Sequence, residues 1–284
     1  MSNSTISVTS PGKIIISGEH SAVYGYPALV AAVNLRLTVS CPVQTIPRQL
    51  LTKYPLPKLI SHIPGLVINS DIPTGCGLGS SAALSAAISL LVLKLSGQKF
   101  TRNIINQSAY ELEKSVHLSP SGIDNTTVVF GGLNYYHPHR TPLTGGYFLS
   151  RLFFLNTGTP IESTAEMISK VRSKDNHKIL ADIGDTTVYI KKLITTGGHE
   201  SEFKHAITQN HQLLVRLGVV GSQCQEIIYN IEKAGAVAKI AGAGGFKGSS
   251  GIVLVYLPEN IKLDKYKLTS ISISKGVRLE KPIE

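Results

Sequence analysis

The apolar positions of this chain fall into two textures. Short β-branched or alternating runs at residues 6–9, 13–17 and 35–41 predict strands, the first two parted by a Pro11-Gly12 turn. A continuous apolar run over 82–95 predicts a helix buried on every side, too short for a bilayer and carrying Lys94. Residues 101–116 place Ile104, Ile105, Ala109, Leu112 and Val116 at helical spacing behind a capping Thr101. Between these lie 42–65, with five prolines and little periodicity, read as an irregular excursion, and 66–70, read as a short buried strand. Residues 124–132 read as a polar turn, a β-branched run and a Gly-Gly stop, and 137–146 as turns.

The second half changes character. Residues 151–155 predict a strand, 163–171 a helix, and 203–217 a helix ending at Gly218. Ser222 and Gln225 have capping-box spacing for a helix to about Lys233. Strands follow at 236–240, 251–256 and near 267–273, and the change of texture sets a domain boundary at about residue 150. The expected fold class is α+β with two domains, 1–150 and 151–284.

Composition narrows the function. The 284 residues are 42% hydrophobic and 16% charged, so a packed core is expected. Cys41, Cys76 and Cys224 are odd in number and far apart, which argues against a disulfide framework or a zinc site and fits a reducing cytoplasm. The start of the chain lacks a basic stretch and an apolar segment of the kind a secretory signal carries. The net charge of +10 favours anionic partners. The charges are scattered and Trp is absent, so a small polyanion such as a nucleotide explains them at least as well as nucleic acid.

The chemistry concentrates in Pro73-Thr74-Gly75-Cys76-Gly77-Leu78-Gly79-Ser80-Ser81, which runs straight into the apolar helix. Its glycines let backbone approach a ligand, and the helix start turns free N–H groups and the positive dipole end toward the loop. No Gly-Lys-Ser/Thr follows, and the glycine spacing is wrong for a dinucleotide fingerprint. Taken alone, such a loop is equally well a turn before a core helix. Lys13 opens an apolar strand, and Glu19 and His20 close it beside Gly18. Asp124 lies in a Ser-Gly-Ile-Asp-Asn turn, Glu113 on a helix face, and a second glycine-rich loop begins at Gly242-Ala243. Each alone has an ordinary structural reading, as a strand-end charge, an Asx-turn aspartate, a surface carboxylate or a β-turn.

Together and in this order the segments resemble the GHMP small-molecule kinases, and within them the mevalonate kinase branch. The resemblance rests on Pro11-Gly-Lys13, Gly18-Glu-His-Ser-Ala-Val-Tyr-Gly25, the residues 73–83 loop, Pro120-Ser-Gly-Ile-Asp124-Asn125 and Gly242-Ala-Gly-Gly245. It implies an N-terminal domain like ribosomal protein S5 domain 2 and a C-terminal ferredoxin-like domain. It further implies ATP wrapped by residues 73–81, Mg²⁺ on Ser81 and Glu113, Asp124 and Lys13 as the catalytic pair, and Glu19, His20, Gly242 and Ala243 at the substrate end. The implied reaction is ATP-dependent phosphorylation of the 5-hydroxyl of mevalonate in the cytoplasm, without nucleic-acid or membrane partners and with a homodimer left open. Another GHMP kinase acting on phosphomevalonate or a sugar, or a non-catalytic binding protein of the same fold, are the alternatives. The chain departs from the family where arginines are usual, near Pro160 and after Tyr136. Arg140 and His137 are the cations nearest in sequence to meet a substrate carboxylate, and Lys247 interrupts the second glycine loop.

Overall fold

The computed structural model describes residues 4–117, 120–173 and 175–280. In chain order the elements are β1 (Thr5–Ser17), a 3-10 turn (Ser21–Tyr24), β2 (Ala28–Pro42), α1 (Leu50–Lys53), α2 (Leu56–Ser61), β3 (Val67–Ser70), α3 (Ser80–Leu95), α4 (Arg102–Lys114), α5 (Ile123–Phe130), β4 (Leu133–Tyr136) and β5 (Arg140–Leu143). They continue with β6 (Leu152–Asn156), α6 (Thr164–Arg172), α7 (His177–Thr196), α8 (Glu200–Leu217), α9 (Ser222–Lys233), β7 (Val237–Ala241), β8 (Ile252–Tyr256), β9 (Thr269–Ser270) and β10 (Arg278–Leu279).

Two antiparallel sheets organise the α+β fold. The first runs β10-β1-β2-β4-β5 with β3 also on β2, and the second runs β7-β8-β6-β9. The expected boundary near 150 falls between β5 and β6, but β10 returns to pair Val8 with Leu279 and Thr9 with Arg278, so the end of the described chain belongs to the first sheet. One core lies between the first sheet and α3, whose Ala83, Ala86, Ala87, Leu91 and Leu93 are fully buried. A second, with Met167, Leu214, Ile228 and Val253, lies between the second sheet and its helices.

Several expectations change. β1 is one strand through Pro11-Gly12, with a register shift there: Pro11 pairs with Arg36 and Gly12 with Val33. A shift in register is where a sheet accommodates a residue without an N–H. The proline-rich excursion contains α1 and α2, and Leu51, Leu56 and Leu59 enter the core. β3 forms as a strand at 67–70 but is exposed along its whole length, because it rests on β2 alone among the described strands and no layer covers it. Residues 123–130, read as turn and β-branched run, form α5; Gly122 starts it in a left-handed conformation, and packing on α3 and α4 overrides the low helix propensity of its Thr and Val residues. α7 was not foreseen, although Leu180, Ile183, Ile190, Leu193 and Ile194 give it a buried helical stripe. α9 is capped by Gly221, not by a Ser222 capping box; Gln225 donates instead to the Val220 carbonyl at 2.8 Å.

Candidate active site

The glycine-rich loop ends at Gly79, the N-cap of α3, at φ 74°. No side chain caps this helix start. The first-turn N–H groups therefore stay open to an anion, aided by the helix dipole. Gly79 is required for a second reason: a Cβ there would sit 2.7 Å from Lys13 Cγ. The loop and β1 are also tied directly, the Lys13 N–H donating to the Leu78 carbonyl at 2.9 Å.

Beside this helix start lie two pairs. Lys13 Nζ is 3.1 Å from Asp124 Oδ2, with the lysine side chain 5% exposed and the aspartate 42% exposed. β1 supplies the lysine and the first turn of α5 the aspartate, so a buried cation holds an open carboxylate. Glu113, buried on α4, accepts at Oε1 from both Ser81 Oγ and Ser85 Oγ, each at 2.7 Å. Its Oε2 lies 3.8 Å from His117 Nε2. The carboxylate and the Ser81 hydroxyl are hard oxygen donors side by side, a set that suits Mg²⁺ when nucleotide oxygens and water complete it. Ser85 is the member of this group that sequence reading missed; its one-turn spacing from Ser81 on α3 was the available signal.

The residues expected at the substrate end meet the loop after β7. His20 Nε2 is 2.9 Å from the Ala243 carbonyl oxygen. Burial pushes the His20 pKa down, opposed by that hydrogen bond, in which the ring donates because a carbonyl oxygen can only accept. Its backbone sits at φ 60°, a strained setting for a non-glycine residue. Glu19 Oε1 accepts from Lys239 Nζ, both side chains fully buried. Burial pushes the Glu19 carboxyl up and the Lys239 ammonium down, and their mutual attraction opposes each shift.

A cleft of about 380 Å³ opens along this seam, lined by Gly75, Cys76 and Gly77 on one side and Thr159, Ala241 and Ala243 on the other. Ala243 thus lines the cleft, Gly242 packs against Gly77, and Glu19 and His20 brace the wall. A larger open groove of about 510 Å³, lined by Phe153, Leu257 and Tyr266, holds none of the phosphate-loop residues. Lys247 is exposed, its Nζ 5.8 Å from the Phe246 ring centroid. Arg140 is engaged with Asn134 Oδ1 at 2.7 Å and lies over the Phe130 ring at 4.4 Å, and His137 packs edge-on to Tyr135.

The fold, the uncapped helix behind a glycine-rich loop, and the lysine–aspartate pair define a GHMP-type small-molecule kinase. Residues 48–132 match the GHMP kinases N terminal domain. A mevalonate kinase from Archaeoglobus fulgidus is 34% identical over 260 residues, covering 84% of this chain and 88% of that protein. One from Thermococcus sibiricus is 29% identical over 95% of this chain and 93% of its own length. The crystal structure of the Methanococcus jannaschii mevalonate kinase superposes with a TM-score of 0.78 at 21% identity, covering 99% of this chain and 100% of that one. The chain belongs to the mevalonate kinase family.

Proposed function

We propose that this chain transfers the γ-phosphoryl group of ATP to the 5-hydroxyl of mevalonate, giving 5-phosphomevalonate and ADP for isoprenoid precursor synthesis. The observation that carries the reading is the Lys13–Asp124 pair set beside the open N-terminus of α3. The new bond joins the hydroxyl oxygen to phosphorus, and the bond to the oxygen bridging the β- and γ-phosphates breaks. Such transfer depends on positioning and on neutralising charge. The N–H groups of residues 79–82 face the phosphates, and Lys13 holds both the transferring group and Asp124 in place. Asp124, 42% exposed, orients the hydroxyl and accepts its proton.

Ser81 and Glu113 are the residues that would hold Mg²⁺. The metal, when bound, supplies neutralisation of phosphate charge. No helix among the described residues is long and apolar enough to cross a membrane, and the three cysteines are free, which supports a cytoplasmic setting.

The test is ADP release measured side by side with mevalonate, phosphomevalonate, galactose and homoserine. The reading expects the highest kcat/KM with mevalonate. Preference for any of the other three would overturn the substrate assignment while leaving the phosphotransfer chemistry in place.

A further inference from the structure

A charge at the centre of a buried strand calls for an explanation. β7 reads Val237, Ala238, Lys239, Ile240, Ala241, and all five residues are buried. Lys239 is 0% exposed. Its ammonium has two acceptors, Glu19 Oε1 and the Ile240 carbonyl at 2.8 Å. An apolar side chain of similar size would fit such a strand at no desolvation cost, and replacing buried ion pairs by apolar groups is often neutral or stabilising. Stability alone therefore does not account for Lys239.

Its partner suggests what does. Glu19 follows β1, the strand that carries Lys13, and Lys13 attracts the Glu19 carboxylate as well. Charges of alternating sign thus run inward from the half-exposed Asp124 through Lys13 and Glu19 to the fully buried Lys239. The same two elements are joined again one residue on, where His20 bonds the Ala243 carbonyl. Between those two ties, at residue 241, the backbone carbonyl lies against Gly77, where an added Cβ would come within 3.2 Å of it. The Glu19–Lys239 pair therefore sits where the end of β1, the loop after β7 and the phosphate loop meet.

We infer that Lys239 is a positioning residue for phosphoryl transfer. It acts through Glu19, fixing the end of β1 and the loop after β7 so that Lys13 and Asp124 keep their alignment with the phosphate loop. This rests on the kinase reading but not on which alcohol is the substrate.

The experiment is a double-mutant cycle on kcat with the full chain: Lys239→Met, Glu19→Gln and the two combined, each checked for folding by circular dichroism and thermal melting. Misalignment of reacting groups by an ångström costs up to about a hundredfold in rate. Lys239→Met is expected to lower kcat at least about tenfold in the otherwise unchanged chain, and by less than about twofold when Glu19 is already Gln. Lys239→Arg, which keeps the charge, is expected to recover part of the loss. A folded Lys239→Met with kcat within about twofold of the parent, or losses that multiply in the double variant, would overturn the inference. Should Lys239→Met leave an unpaired buried carboxylate and fail to fold, Glu19→Gln against the neutral double variant decides: equal kcat, both at least about tenfold below the parent, supports it, whereas parent-like kcat in Glu19→Gln or a further drop of about tenfold in the double variant sinks it. If the unmodified chain prefers another alcohol, the substrate reading has failed, and the same cycle on that alcohol still tests Lys239.

Discussion

Asp124 is held by a cation that is itself almost wholly buried, so its position is set from the interior side. Asp124→Asn keeps the shape and removes the proton acceptor. The expected result is a fall in kcat of at least about a hundredfold, the lower range for general acid–base work, with the Kd for ATP nearly unchanged. Near-normal turnover would take Asp124 out of the mechanism. Glu113 makes a different case, because its Oε1 already orders two serine hydroxyls. Glu113→Gln is expected to raise the Mg²⁺ concentration giving half-maximal rate; an unchanged titration would leave Glu113 as a brace for Ser81 and Ser85 only. The glycine-rich loop at residues 75–81 was legible as a tight turn running into a helix, open equally to an anion-cradle reading and to a plain turn before a core helix, because such turns and helix starts have few substitutes for glycine and serine. The Glu19–Lys239 pair was not: its partners are 220 positions apart, and nothing in either local sequence names the other. The pairing of Lys13 with Asp124 came only from family resemblance, and the geometry now stands independently of it.

At the scale of elements, legibility followed periodicity. The largely apolar α3 and the Thr101-capped α4 were readable, and the Thr101 hydroxyl does accept from the Ile104 N–H at 3.3 Å. α5 was not, since its helical state comes from its neighbours and not from its own residues. α8 carries a stability test. Its Phe203 is fully buried and stacks on Phe148 at 4.5 Å, with Tyr256 edge-on at 5.1 Å. Phe203→Ala is expected to cost about 3–5 kcal/mol in denaturant unfolding. A loss under about 1 kcal/mol would mean that the site collapses around the gap or was never tightly packed. His211, on the same helix, has its pKa lowered from 6.5 to about 4, chiefly by burial and further by Lys239. The unfolded chain thus takes up this proton before the folded one does. The associated stability is complete above about pH 6.5 and drains away as pH falls toward about 4. The fall in Tm between about pH 7.5 and pH 5 is expected to be smaller in His211→Gln than in the parent, and equal falls would remove His211 as a source of acid sensitivity.

Across the whole molecule, the proposed site lies at a seam. The first sheet and α3–α5 carry Lys13, Ser81, Glu113 and Asp124, whereas β7 and the loop after it supply Lys239, Gly242 and Ala243. Small, specific ties hold the halves together: Ser17 Oγ to Thr187 Oγ1 at 2.7 Å, His20 to Ala243, and Glu19 to Lys239. The excess of 28 basic over 18 acidic residues is scattered over this frame, which suits substrates that are themselves anions. We propose that this seam moves one phosphoryl group from ATP to one carbon-bound oxygen of mevalonate. Phosphorus NMR of the protein with ATP, Mg²⁺ and mevalonate reads that event directly. The expected spectrum has a new phosphomonoester resonance coupled to the protons on carbon 5, growing in step with ADP. Growth of ADP with inorganic phosphate alone, or a phosphorus signal coupled to a different carbon's protons, would contradict it.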